Sequence, residues 1–215
     1  MRSTSMLLAS ALALPLVGCG TTGKLGEAFF DYECVNDSDT HCDIFGDFPE
    51  ALAVDSRFRV SARRTDGSGS LFVTPAAAAK LGAVDGSLVV RDEGPMSILA
   101  LEGTTVVDIL DLRALPVAEL SIAPSTGDTS FTPPLSLGLD DSATQVVVRP
   151  LSSLGGVLGG ALSYTWEVSP EGIVDLSPIN GDNAAMLTPQ SAGQATLTVR
   201  QGTVERTLEV VVEAM

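Results

Sequence analysis

The sequence predicts an all-β protein with two tandem modules. Short stretches of alternating apolar and polar residues recur along most of the chain, separated by Gly, Pro, Asp and Ser, a pattern typical of sandwiches and barrels. A segment also repeats at an offset of 99 residues. Residues 94–98 match residues 193–197, and the Gly103-Thr104 pair that follows matches Gly202-Thr203. One β module used twice explains this spacing, so we expect the modules to meet near residues 115–118.

The first module is predicted over residues 44–116. Its candidate strands lie at residues 57–63, 71–73, 88–90, 98–101 and 106–112. After the second of these, Thr74 can cap a helix, Pro75 suits a first helical position and Gly82 suits a helix end. These three residues predict one or two helical turns inside an otherwise β module.

The second module is predicted over residues 117–215. Its candidate strands lie at residues 120–122, 146–148, 162–166, 173–176, 185–188, 195–199 and 207–212. Between the second and third of these, residues 151–160 contain four glycines. They lack the Lys and Ser or Thr that complete a phosphate-binding loop, so we interpret them as a flexible connection.

Residues 164–212 resemble the C-terminal half of bacterial immunoglobulin-like domains, which occur in surface proteins and adhesins. The resemblance rests on residues 165–168, Ile173-Val174, 192–199 and 206–213. It implies a two-sheet sandwich in which Trp166 fills the core, and it transfers no catalytic residue. The first module shares this resemblance only through the internal repeat.

The N-terminus has the parts of an export signal, with Arg2 before an apolar stretch at residues 6–17. That stretch is too short to span a bilayer. Residues Leu16-Val17-Gly18-Cys19 resemble the lipobox of bacterial lipoproteins. The resemblance implies removal of residues 1–18, lipidation of Cys19 and anchoring in the cell envelope. Gly20 favours the outer membrane, with the protein facing the periplasm or the cell surface.

The chain has three cysteines. If Cys19 carries lipid, Cys34 and Cys42 remain as an even pair in an oxidising compartment, where a disulfide is favoured. A bridge across so short a loop stabilises by roughly 2–3 kcal/mol. We therefore interpret residues 19–43 as a lipidated cysteine, a short tether over residues 20–30 and an acidic disulfide loop.

Composition narrows the range of functions. A net charge of −15 argues against binding nucleic acid and against electrostatic binding to anionic headgroups. His41 is the only histidine and lacks an identifiable catalytic partner, so we interpret it as a solvent-exposed loop residue. Asp37, Asp39, His41 and Asp43 occupy every second position, and the three carboxylates offer oxygen ligands for calcium, but the EF-hand glycine and glutamate are missing. We interpret this segment as a solvated acidic loop.

These observations predict a lipid-anchored envelope protein with a structural, adhesive or partner-binding role. We expect no catalytic residue, metal or cofactor. The expected contacts are the membrane through lipid on Cys19 and an unidentified envelope protein or polysaccharide. Two alternatives stay open: a carbohydrate-active enzyme or accessory that uses loop carboxylates, and a periplasmic module that binds calcium or a small ligand.

Overall fold

The computed structural model describes residues 21–42, 47–125, 131–179 and 183–214. All of the regular secondary structure in these ranges is β-strand, which confirms the all-β prediction. The same ranges contain no helix with the length and apolarity needed to cross a membrane. The signal segment, Cys19 and Asp43 lie outside the described residues.

The described part of the first module contains nine strands: β1 (Thr21–Thr22), β2 (Ala28–Glu33), β3 (Leu52–Ala53), β4 (Arg57–Arg64), β5 (Ser70–Pro75), β6 (Leu81–Val84), β7 (Ser87–Val90), β8 (Gly94–Glu102) and β9 (Thr105–Leu115). Residues 21–33, expected to contain a tether, therefore contribute β1 and β2 to the sheet. They do so because Ala28, Phe30 and Tyr32 alternate into the buried core.

Hydrogen bonds connect all nine strands into one sheet, in the order β1-β2-β4-β5-β8-β9-β3, with β7 linking β4 to β6. This differs from a sandwich of two separate sheets because β4 changes partners along its length. Phe58 near its start lies opposite Leu88 of β7, whereas Ala62 near its end lies opposite Leu71 of β5. The sheet therefore bends around its own core.

Asp108 holds the two ends of this bent sheet together. Its completely buried carboxylate accepts backbone N–H bonds from Leu25, Glu27 and Ala28, each at 2.8 Å. A fourth comes from Ile109 at 2.7 Å. Burial acts to raise the pKa of Asp108, but these four donors favour the charged form and place its pKa below the usual value. The carboxylate thus fastens the segment before β2 to β9.

The predicted helical turns after β5 do not form. β5 continues through Pro75, which lies opposite Ile98 of β8. Beyond it, the N–H groups of Lys80 and Leu81 donate to the Ala77 carbonyl, both at 3.1 Å. They make a single turn before β6 because sheet pairing on both sides leaves no room for a longer helix.

The described part of the second module contains eight strands: β10 (Glu119–Pro124), β11 (Leu135–Gly138), β12 (Thr144–Leu151), β13 (Thr165–Ser169), β14 (Val174–Pro178), β15 (Ala184–Pro189), β16 (Gly193–Gln201) and β17 (Val204–Glu213). They form two four-stranded sheets, β10-β12-β15-β14 and β11-β17-β16-β13. Their apolar faces enclose one core. This is the immunoglobulin-like sandwich expected from the sequence.

The internal repeat corresponds to a long hairpin in each module. Gly103-Thr104 joins β8 to β9, and Gly202-Thr203 joins β16 to β17. The two glycines have φ of 61° and 56°, as tight hairpin turns require. In each module the first strand of the hairpin also pairs with an earlier strand, β5 or β13. The repeat is therefore a three-strand unit used twice.

Candidate functional site at the junction of the modules

The segment between β12 and β13 joins the second module to the first. Gly159 and Ala161 form β-bridges with Leu52 and Arg57 of the first module. Backbone hydrogen bonds of 2.7–3.0 Å run in both directions across these bridges. The alanines on either side of Leu52 pack into the core of the second module. The modules therefore share both a strand-like contact and a core.

Gly160 makes this close approach possible. It has a φ of 95°, a conformation that residues with a Cβ rarely adopt. A Cβ at this position would also overlap the side chain of Ser56, whose buried hydroxyl donates to the Ala53 carbonyl at 2.6 Å. The glycine-rich segment, expected to be a flexible connection, is thus docked at its C-terminal part because glycine lets two backbones meet.

Asp39 in the acidic loop points into the junction. Only 2% of its surface is exposed. Its Oδ1 accepts the N–H of His41 and the N–H of Gly160, both at 3.0 Å. Its Oδ2 accepts the hydroxyl of Tyr32. The expectation of a solvated acidic loop is therefore wrong for Asp39, because three donors from both modules surround its carboxylate.

A disulfide between Cys34 and Cys42 closes the loop that carries Asp39, with 5.7 Å between the two Cα atoms. Within the loop, the N–H of Cys42 donates to the Asp39 carbonyl at 3.1 Å. The side chain of Asn36 accepts both the N–H and the hydroxyl of Ser38, at 3.0 and 2.6 Å. The predicted disulfide is present, and it restrains the backbone that positions Asp39.

Tyr32 connects Asp39 to the core of the first module. Its ring stacks on Phe58 with centroids 5.7 Å apart, and it meets Phe48 and His41 edge-on at 5.4 and 5.5 Å. Burial, and then the negative charge of Asp39, raise the pKa of the Tyr32 hydroxyl far above its ordinary value. The hydroxyl therefore stays protonated and donates to the carboxylate.

Tyr164 approaches the same site from the second module. Its side chain is 6% exposed, and its hydroxyl has no hydrogen-bond partner among the described residues. Burial, and then the charge of Asp39, raise the pKa of this hydroxyl. A buried hydroxyl without a partner loses its hydration without compensation. The Tyr164 ring therefore stabilises the site by apolar packing, whereas its buried hydroxyl destabilises it because it makes no hydrogen bond among the described residues.

His41 contacts a backbone carbonyl and an aromatic ring of the first module. Its Nε2 donates to the Asp47 carbonyl at 2.7 Å, and its ring meets the edge of Tyr32. It is half-buried rather than solvent-exposed. The arrangement supports a role in loop packing.

The alternating acidic residues do not converge on one point in the described part of the loop. Asp37 is exposed, whereas both oxygens of Asp39 accept bonds from protein donors. The metal-ligating side chains that do lie together are Cys34, Asp39 and Cys42. Their two sulfurs are bonded to each other, so this cluster has no thiolate to offer a metal.

A cavity of about 390 Å³ lies between the acidic loop and the β10-β12-β15 sheet. The loop contributes Asp37, Asp39, Thr40 and Cys42, and the sheet side contributes mostly polar groups: Ser125, Gln145, Arg149 and Asn183. Its size suits a small polar molecule. The cavity adjoins the junction but does not interrupt it.

Trp166, which the resemblance predicts to fill the core of the second module, instead packs half-buried against that core. It lies opposite Val199 of β16. Tyr164 and Trp166 thus both contribute to packing.

No family model and no curated protein matches this chain. Among solved structures, it is similar to domains 4 and 5 of the S-layer protein SbsC, at 15% identity and a TM-score of 0.36, covering 75% of this chain and 93% of that chain. It is similar to InvD of Yersinia pseudotuberculosis, at 13% identity and a TM-score of 0.36, covering 77% of this chain and 55% of that chain. It is also similar to a glycosyl hydrolase family 2 member from Bacteroides cellulosilyticus, at 11% identity and a TM-score of 0.34. This match covers 87% of this chain and 28% of that chain. We infer no activity or partner from likenesses this distant.

Proposed function

We propose that this protein is a lipid-anchored component of the bacterial cell envelope. The lipobox-like Leu16-Val17-Gly18-Cys19 segment carries the proposal. The disulfide between Cys34 and Cys42 supports it, since such bonds persist in compartments outside the cytoplasm. Lipid on Cys19 would hold the chain at the outer membrane, because several acyl chains bury enough methylene groups for a firm anchor.

Its role is structural or partner-binding rather than catalytic. The residues that meet at the junction are used to join the modules: Asp39 accepts three protein donors, and His41 contacts a backbone carbonyl. Core residues from both modules and paired backbone segments join the two modules into one support. Such a support suits the presentation of a binding surface at a defined distance from the membrane.

The partner is an envelope protein or polysaccharide, and for a protein partner the second module supplies a site. β13 and β14 each lie at the edge of their sheet. An edge strand exposes unpaired backbone donors and acceptors to which a partner can add a strand. On β13 the exposed side chains are polar: Thr165, Glu167 and Ser169. They keep the edge soluble while the backbone remains available.

The anchor is tested by comparing the full-length protein with its Cys19→Ala variant in bacterial cells. The wild type is expected in the membrane fraction, with diacylglycerol and an amide-linked acyl chain on Cys19 in the mass of its N-terminal peptide. The variant is expected to leave the membrane fraction. A wild-type protein without lipid on Cys19 would contradict the proposal. Crosslinking from positions 165 and 169 to envelope components then tests the partner-binding edge.

A further inference from the structure

We infer that the partner adds its strand to β14 and that this strand alternates basic and apolar residues, an inference that rests on the partner-binding role proposed above. β13 and β14 follow each other along the chain but lie at the edges of opposite sheets. Among the described residues, no further strand covers the side of the sandwich between them. This side, residues 168–176, is called the open side below.

The backbone of β14 is available for pairing at the open side. Just before β14, the Ile173 carbonyl accepts the N–H of Gln190 from the β15 side at 2.9 Å. Backbone groups of an antiparallel strand point alternately to its two sides, so those of Val174 and Leu176 point away from β15. In the described part of the chain, β14 has no neighbouring strand in that direction. Pro178 ends the available edge because it has no N–H to donate.

A groove of about 470 Å³ lies beside this backbone. Its apolar walls are Val168 of β13 and Val174 and Leu176 of β14. All three belong to the core of the second module or pack against it, but Val168 and Leu176 are only half-buried. Apolar side chains on one face of an added strand would remove this surface from water. The partner strand is therefore expected to carry an apolar residue at every second position.

The rim of the groove is acidic. Glu171 and Asp175 line it, both are exposed, and neither forms an ion pair within the described ranges. The sequence has no Lys or Arg between Arg149 and Arg200, and Arg200 already pairs with Glu167 at 3.0 Å. Opposite charges on neighbouring strands stabilise their pairing. The positive charge that this rim lacks is therefore expected on the outer face of the partner strand.

The same charges disfavour a second copy of this chain as the occupant. Two β14 strands side by side would bring Glu171 and Asp175 of one copy near the same acids of the other, and each chain has a net charge of −15. Like charges on neighbouring strands destabilise their pairing, and charged side chains on an edge strand protect it against self-association. A strand rich in lysine or arginine removes this repulsion, so the acidic rim selects a basic partner.

The test measures the binding of fluorescent peptides to the mature protein, purified in detergent, by fluorescence anisotropy. The basic probe alternates lysine and valine over about eight residues, and the acidic probe has glutamate in place of each lysine. A third probe has the basic sequence with methyl groups on its backbone nitrogens, which removes the donors needed for strand addition. The basic probe is expected to bind about tenfold more tightly than either of the others.

Two double variants separate the rim of the groove from the overall charge of the protein. Glu171→Gln combined with Asp175→Asn is expected to weaken binding of the basic probe by about fivefold to tenfold, because it removes both rim charges. Glu209→Gln combined with Glu213→Gln is the matched control, since it removes two exposed carboxylates from β17 of the opposite sheet. This control is expected to change the affinity by less than about twofold, because salt screens distant charges.

Equal binding of the basic and acidic probes, or equal losses in the two double variants, would overturn the assigned charge of the partner strand. Equal binding of the methylated probe would overturn strand addition. If no probe binds, the inference fails as a whole, and crosslinking from positions 165 and 169 in cells decides the wider proposal. Crosslinks to an envelope protein or polysaccharide would keep the partner-binding role, whereas their absence would remove that role as well.

Discussion

The N–H of Gly160 in the second module donates to Oδ1 of Asp39 in the first at 3.0 Å, across 121 positions of sequence. This bond lies at the centre of a junction in which a buried carboxylate, a disulfide loop and a glycine backbone meet. The modules are consequently expected to unfold as one cooperative unit, since Ala51 and Ala53 of the first module complete the core of the second.

Replacing Gly160 with alanine is expected to lower the free energy of unfolding strongly. The left-handed backbone costs about 1–2 kcal/mol for a residue with a Cβ, and the overlap with Ser56 adds about 1–3 kcal/mol. Gly155→Ala is the control, because Gly155 has a φ of 81° but open space around its Cβ position. Urea unfolding of both variants measures the difference. Equal losses in the two would show that Gly160 is not tightly docked.

The two buried tyrosines are expected to respond to phenylalanine in opposite directions. Tyr164→Phe removes a hydroxyl without a partner and should raise the free energy of unfolding by about 1 kcal/mol. Tyr32→Phe removes the donor to Asp39 and should lower it by about 2 kcal/mol. Thermal unfolding at pH 7 compares them. A stabilising Tyr32→Phe would contradict the assigned role of that hydroxyl.

Asp108→Asn is expected to destabilise the first module by about 2–4 kcal/mol at neutral pH, because an amide meets backbone donors that need an acceptor. The folded pKa of Asp108 lies below its ordinary 3.8. Its stabilisation is therefore complete above about pH 5 and is lost as the pH falls below 3.8 toward the folded pKa.

The difference in stability between wild type and Asp108→Asn should accordingly shrink in acid, as followed by urea unfolding between neutral and acidic pH. Asp111→Asn on the same strand is the control, since Asp111 is exposed and pairs with Lys24 on the surface. It should change stability only slightly. A difference for Asp108→Asn that stays constant down to acid pH would contradict the proposed burial of a charged carboxylate.

Replacing Cys34 and Cys42 together with serine is expected to lower the free energy of unfolding by roughly 2–3 kcal/mol. The open loop then holds Asp39 less firmly at the junction. Reduction of the wild type should reproduce the loss, and reduction of the double variant should have no further effect. An unchanged urea midpoint in the double variant would show that the remaining contacts hold the loop without the bond.

Local pattern was sufficient to predict much of the fold. The alternating apolar and polar residues at 57–63 lie in β4, and the repeated Gly-Thr pairs form the turns of two equivalent hairpins. The helical turns after Pro75 were predicted wrongly because capping residues describe local preference, whereas pairing of β5 with β8 is a long-range contact. The role of Asp108 was missed, although an acid inside an apolar strand was a signal that it meets buried donors.

The sequence by itself determined the β class, the repeated hairpin, the turn glycines and the pairing of Cys34 with Cys42, because each follows from period, spacing or residue chemistry within a short stretch. Only the tertiary structure decided that Asp39 is buried, that Gly160 is docked and that the first module forms one bent sheet. These features depend on contacts between residues far apart in the chain. Burial and hydrogen bonding at such contacts are set by how the modules pack, which no local pattern records.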